Sequence, residues 1–145
     1  MVDDVLILRK LSELDLYYAQ IQEVAPITIS EYSNDWKIQR IVERTLQMMI
    51  ETCVDIAGHM ISDMGFRIPK SYADTFAVLH ENDILGENLY RSLMKMAQFR
   101  NIVVHQYDKI DSSIVVGILQ TNIKDFLTYR DAIAGYLKSR KLHKH

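Results

Sequence analysis

Apolar residues recur at intervals of three and four along most of the chain, which is the period of an amphipathic helix. The pattern is most regular after Asp35, where it continues without a break to Gly65. We predict a long helix there, capped by Asp35 and ended by Gly65, because glycine commonly closes a helix. Its inward positions are predicted to be Ile38, Ile41, Val42, Thr45, Met48, Met49, Thr52 and Ile56.

The same period predicts three further long helices and one short one. The first long helix is expected from about Asp4 to Val24. The next begins at Gly86 or Glu87 and ends before residue 107, and the last extends from the Asp111-Ser112-Ser113 cluster to about Ser139. The short helix follows Ser71, whose spacing to Asp74 suits a variant of the capping box. Further inward positions are predicted to be Leu8, Leu11, Tyr18, Ile21, Ile114, Ile118, Ile123, Phe126 and Leu127. We therefore predict an all-α fold, an antiparallel four-helix bundle with an additional short helix.

Length and composition indicate a single globular domain. A chain of 145 residues can bury a core without metal or disulfide support, and 48% apolar with 25% charged residues is a globular composition. The lone Cys53 cannot form an internal disulfide, which favours a reducing, cytoplasmic compartment. No apolar run is long enough to span a bilayer, and the N-terminus does not resemble a signal peptide. We expect one domain over residues 1–139 and a basic, disordered tail over residues 140–145.

The charge is small overall but unevenly distributed. A formal net charge of −2 argues against general attraction to nucleic acid. From Leu89 to Tyr107, however, the chain has no Asp or Glu, whereas Arg91, Lys95 and Arg100 all lie in this strip. Such a cationic strip suits an anionic ligand, phosphate above all, and a solvated helix face is the other interpretation.

The stretch RNIVVHQY, residues 100–107, contains the chemically capable side chains. Histidine transfers protons near neutral pH and arginine presents forked donors to phosphate oxygens, so His105 and Arg100 suit phosphodiester cleavage. Asn101 lies four positions before His105 and shares its helix face, where its amide could orient the imidazole or contact phosphate. Arg100 lies about 140° from His105 in an ideal helix. The pair therefore converges only if the helix ends or distorts here, or if a second protomer completes the site.

Several other interpretations of these residues stay open at this point. His105 near a helix C-terminus could simply bind the last carbonyl groups. Glu51 and Asp55 could brace Arg100 across the bundle, or lie on the solvent face. His59 and His80 have no partners at the spacing of metal ligands, so we predict no metal site.

The pattern Arg100-x4-His105-x-Tyr107 resembles that of the HEPN superfamily, and specifically its HepT-like toxins. That family is an all-helical bundle of about this length, in which an Arg precedes a His by a few residues. The HepT branch adds a Tyr two residues further on, and a polar residue such as Asn101 often follows the Arg. The position of the motif just before the last long helix also fits, so the resemblance extends over essentially the whole chain.

The resemblance implies the toxin of a type VII-like toxin–antitoxin pair. Such toxins are homodimeric, metal-independent endoribonucleases whose two motifs line a shared cleft that binds RNA. By this likeness His105 would be the acid–base residue, Arg100 the phosphate contact and Asn101 a supporting group. The antitoxin would be an MNT nucleotidyltransferase that transfers AMP from ATP to Tyr107, so the toxin itself would need no cofactor.

Four further charged residues would support that site. Two alternative functions remain possible for the chain. The supporting residues would be Glu51, Asp55, Arg91 and Lys95. One alternative is a non-catalytic HEPN subunit that binds nucleotides or docks a substrate. The other is a structural helical protein in which the motif is only a capped helix end.

Overall fold

The predicted all-α fold is confirmed by a computed structural model, which describes residues 4–143, with side chains up to Arg140. Its helices are α1 (Asp4–Gln22), α2 (Ile29–Ser33), α3 (Trp36–Met64), α4 (Tyr72–Glu81), α5 (Glu87–His105), α6 (Ser112–Gly117) and α7 (Asp125–His143). The long helices α1, α3, α5 and α7 form the bundle, and each contacts two of the others. The short helix α4 packs against both α3 and α5, next to the bundle.

Local capping explains why α3 and α4 begin and end where they do. The Asp35 carboxylate accepts hydrogen bonds from the backbone N–H groups of Lys37 and Ile38, both at 3.1 Å. Gly65 closes α3 in the left-handed region, with φ of +69°, which a residue without a side chain adopts readily. The hydroxyl of Ser71 accepts from the backbone N–H of Asp74 at 3.0 Å and starts α4. These helix limits agree with the prediction.

Helix α2 was not predicted, although its sequence contains a recognisable signal. Thr28 and Glu31 form a reciprocal capping box, in which each side chain accepts from the other residue's backbone N–H. The helix is short, and its apolar Tyr32 is fully buried in the core. A single buried position shows no period, which is why the hydrophobic pattern missed the helix.

The predicted last helix is interrupted, and the structure corrects its limits. A π-helical segment at Ile118–Asn122 separates α6 from α7. The hydroxyl of Thr121 donates to the backbone carbonyl of Gly117, a side-chain bond that competes with regular helical pairing. Helix α7 then continues to His143, beyond the predicted helix end near Ser139. Residues 144 and 145 lie outside the described residues.

Three of the predicted inward positions are wrong. Leu8, Ile41 and Ile114 are about half exposed, at 48%, 54% and 52%. Each has a buried neighbour in sequence, and adjacent helical positions differ by about 100°, so a small error in the phase of the stripe moves a residue out of the core. Within residues 4–143, no helix is both long enough and apolar enough to cross a membrane.

Candidate active site

The motif lies where α5 ends. The helix remains regular through His105, and the backbone N–H of Gln106 still bonds to the carbonyl of Ile102 at 2.8 Å. Gln106 itself leaves the helical region, and Tyr107 opens a short 3₁₀ turn that extends to Lys109. Because the helix does not distort before His105, Arg100 and His105 keep the roughly 140° separation of an ideal helix. Convergence of the pair within one chain therefore does not occur.

Arg100 is held by neighbours from two other helices. Its Nε and Nη2 donate to Glu51 Oε1 on α3 at 3.0 and 2.8 Å. The guanidinium also lies over the ring of Tyr72 on α4, with Cζ 4.4 Å from the ring centre. Its Nη1 reaches Asn101 Oδ1 at 3.3 Å. Since the side chain is only 15% exposed, the guanidinium is oriented before any ligand arrives.

Glu51 is ionised and acts as the main support of Arg100. Burial opposes ionisation of this carboxyl, but hydrogen bonds from Gln47 and Arg100, together with the charges of Arg100 and Arg44, outweigh it and lower its pKa. Gln47 Nε2 donates to Glu51 Oε1 at 3.1 Å. Of the two arrangements that the sequence left open for Glu51, the structure has the ion pair across the bundle.

Replacing Glu51 with glutamine should reduce the free energy of unfolding by about 1–2 kcal/mol at neutral pH, because a charge-assisted pair is lost around a largely buried guanidinium. The pKa of Glu51 is lowered by folding, so the stabilisation is present above the ordinary pKa of a glutamate and is lost as the pH falls through the lower folded-state value. Urea unfolding of wild type and Glu51→Gln should therefore converge in acid.

A matched control for this measurement is Arg91→Gln. The Arg91–Glu87 pair has the same 2.8 Å separation but is 70% and 53% exposed, so its loss should cost less than about 0.5 kcal/mol. Equal losses for Arg91→Gln and Glu51→Gln would contradict a structural role for the Glu51–Arg100 pair.

His105 and Tyr107 are exposed and unengaged. Tyr107 is 75% exposed, and neither side chain forms a hydrogen bond or ion pair with any residue that the structure describes. The open face of α5 that ends at His105 also carries Asn101 and Gln98. The alternative in which His105 binds the last helix carbonyls is therefore not what the structure has. Both side chains are free to meet a ligand or a second protein.

The other supporting residues lie elsewhere, and the cationic strip is mostly neutralised. Glu87, just before the strip, pairs with Arg91, and Glu51 pairs with Arg100. Lys95 is exposed and forms no ion pair within the described part of the chain, but it lines a different hollow, beside Phe99 and Ile114.

Asp55 does not brace Arg100. It pairs instead with Lys10 on α1, and its Oδ1 lies 3.6 Å from His59 Nε2. Among residues 4–143, no group of three or more His, Cys, Asp or Glu side chains is arranged to hold a metal ion.

Comparison with known proteins identifies the family. Residues 14–133 match the ribonuclease HepT-like family. The mRNA nuclease HepT of Shewanella oneidensis is 33% identical over 88% of this chain and 96% of that protein, and the tRNA nuclease HepT of Aphanizomenon flos-aquae is 27% identical over 94% and 92%. A solved structure of the tri-AMPylated Shewanella oneidensis HEPN toxin in complex with MNT antitoxin is similar, with a TM-score of 0.83 and 32% identity over 93% of this chain and 99% of that chain. The chain therefore belongs to the ribonuclease HepT-like family.

Proposed function

We propose that this chain is the toxin of a type VII-like toxin–antitoxin pair, a metal-independent endoribonuclease that an MNT nucleotidyltransferase silences by adenylylation. The observation that carries the proposal is the end of α5, where His105 is exposed and unbonded while the neighbouring Arg100 is held in place by Glu51 and Tyr72. The family membership and the nuclease names of the relatives support it.

The proposed chemistry divides between the two charged side chains. His105 takes or gives the proton that moves when the RNA 2′-hydroxyl attacks the neighbouring phosphate and the 5′ oxygen leaves. Arg100 stabilises the negative charge that grows on the phosphate, through N–H groups that Glu51 does not occupy. Asn101 lies between them on the exposed side of α5 and steadies Arg100 Nη1. Neither proton transfer nor charge stabilisation requires a metal ion in this scheme.

A homodimer completes the proposed site. The motif of one chain offers one histidine, whereas cleavage needs a base for the attacking hydroxyl and an acid for the leaving oxygen. Arg100 and His105 also lie on different sides of α5, so one copy does not bring them together. A twofold axis near the exposed face of α5 would place two copies of the motif around one cleft.

Tyr107 is the proposed site of silencing. Its phenol oxygen attacks the α-phosphorus of ATP, a Tyr–O–P bond forms, the bond to pyrophosphate breaks, and the phenol proton is released. The added AMP places a bulky anion two residues from His105, where it repels an RNA phosphate and can compete for Arg100. The solved relative described as a tri-AMPylated toxin in complex with MNT antitoxin supports this form of control.

The test is RNA cleavage in excess EDTA by purified protein whose intact mass shows no added AMP. We expect cleavage of at least one class of RNA under these conditions, because no step of the proposed chemistry uses a metal. Absence of cleavage for mRNA, tRNA and short synthetic RNA would overturn the proposal. Cleavage that EDTA abolishes would overturn its metal-independent mechanism.

A further inference from the structure

An open groove of about 760 Å³ runs along α3, next to Arg100. Helix α3 provides its floor, and Tyr17 of α1 and Tyr72 of α4 contribute aromatic rings from the two neighbouring helices. Glu51 and Tyr72 belong both to the lining of the groove and to the contacts of Arg100. If Arg100 binds a phosphate group of a ligand, the part of the ligand next to that phosphate therefore lies at the groove.

Gly58 leaves the floor of this groove open. It lies inside α3, where glycine is a poor helix former. A Cβ built on Gly58 would meet no atom within 4 Å, so close packing does not require glycine at this position. The absence of a side chain at Gly58 instead leaves empty space on the groove floor, and a larger residue would fill that space.

The polar groups of the groove favour a neutral ligand with N–H donors over a phosphate. Asp55 is 51% exposed, and although Lys10 and His59 lie beside it, a carboxylate has about four acceptor positions and retains some of them. Glu51 adds a second carboxylate at the Arg100 end. Each carboxylate is paired with a cation, but both can still accept N–H groups and neither can donate to a phosphate oxygen. The phosphate therefore belongs at Arg100 and the base in the groove.

We propose that the groove binds one base of the RNA substrate and prefers guanine over uracil; this rests on the proposed ribonuclease function. The Watson–Crick edge of guanine presents two adjacent N–H donors, which match one carboxylate. Uracil presents a single N–H between two carbonyl oxygens, which a carboxylate repels. Tyr17 and Tyr72 line the groove, and although Arg100 covers one face of the Tyr72 ring, both aromatic side chains can pack against an unstacked base, as in other proteins that read single-stranded RNA.

The test measures binding without cleavage, with 2′-O-methylated RNA that lacks the nucleophile. A short oligouridylate is compared by fluorescence anisotropy with the same oligomer carrying one central guanine. We expect the guanine to tighten binding to the wild-type protein by about tenfold. Asp55→Asn should remove most of this gain without weakening the binding of the oligouridylate.

Two further variants separate the groove from general effects. Asp15→Asn is the matched control, because Asp15 is 48% exposed, is paired with Arg130 and lies outside the groove, so the gain should remain. Gly58→Phe should fill the groove and abolish the gain while the helix content and melting temperature are maintained or raised.

The groove proposal fails if guanine brings no gain, or if the gain survives both Asp55→Asn and Gly58→Phe. Because no cleavage is measured, this result is independent of the EDTA experiment. A protein that cuts RNA but shows no guanine gain would retain the proposed function and lose the groove. A protein that shows the guanine gain but cuts no RNA would retain the groove proposal and lose the proposed ribonuclease function.

Discussion

Replacing His105 with alanine should lower the rate of RNA cleavage by about 10²–10⁴-fold, the usual contribution of a positioned acid–base group. The side chain is exposed, terminates α5 and has no hydrogen bond or ion pair with the described residues, so its removal breaks no polar contact of the fold that the structure describes. The unfolding free energy of His105→Ala should therefore match that of wild type to within about 0.5 kcal/mol. Retained stability with lost cleavage separates a catalytic role from a helix-capping one.

The matched control for this prediction is Gln106→Ala. Gln106 is the next residue, is also exposed, and lies where the backbone leaves the helix, so its replacement tests any general effect of altering the end of α5. Initial rates should be measured with AMP-free protein in EDTA, together with the affinity for uncleavable RNA. If His105→Ala cuts RNA as fast as Gln106→Ala does, His105 is not the acid–base residue.

The parts of the fold that follow from local chemistry could be predicted from the sequence. Asp35, Gly65 and Ser71 each act on backbone groups within a few residues, so their spacing alone places the limits of α3 and the start of α4. The π-helical segment was not predicted, because a threonine such as Thr121 within a helical pattern does not by itself signal a distortion. Local signals were sufficient for the limits of α3 and the start of α4, and insufficient for the distortion between α6 and α7.

The candidate site also has a part that could be predicted from the sequence and a part that could not. The motif residues could be found from their order in the sequence, but whether Glu51 or Asp55 meets Arg100 could not. Both acids lie four apart on α3, and the choice depends on the rotation of α3 relative to α5, which is a property of the packed core. The groove over Gly58 was missed for a related reason, since an empty volume is defined by three helices together.

Replacing Tyr107 with phenylalanine should leave RNA cleavage within about twofold of wild type and make the protein resistant to its antitoxin. The hydroxyl is the only group removed, and in the structure it forms no hydrogen bond with the described residues, so neither the turn after α5 nor His105 should move. The nucleophile for AMP transfer is lost at the same time. Incubation with the MNT partner and ATP should therefore add the mass of AMP to wild type and not to Tyr107→Phe.

The Tyr107→Phe substitution should change cell growth more than it changes the rate of RNA cleavage by the purified protein. Expression of Tyr107→Phe together with the partner should stop growth, whereas expression of wild type with the same partner should not, because only wild type can acquire the anion that excludes RNA phosphate. Tyr90→Phe is the control, since Tyr90 stacks on His80 at 4.4 Å, far along α5 from the motif, and should behave as wild type. If Tyr107→Phe is still silenced while its mass stays unchanged, the partner acts by tight binding, and Tyr107 is not the switch.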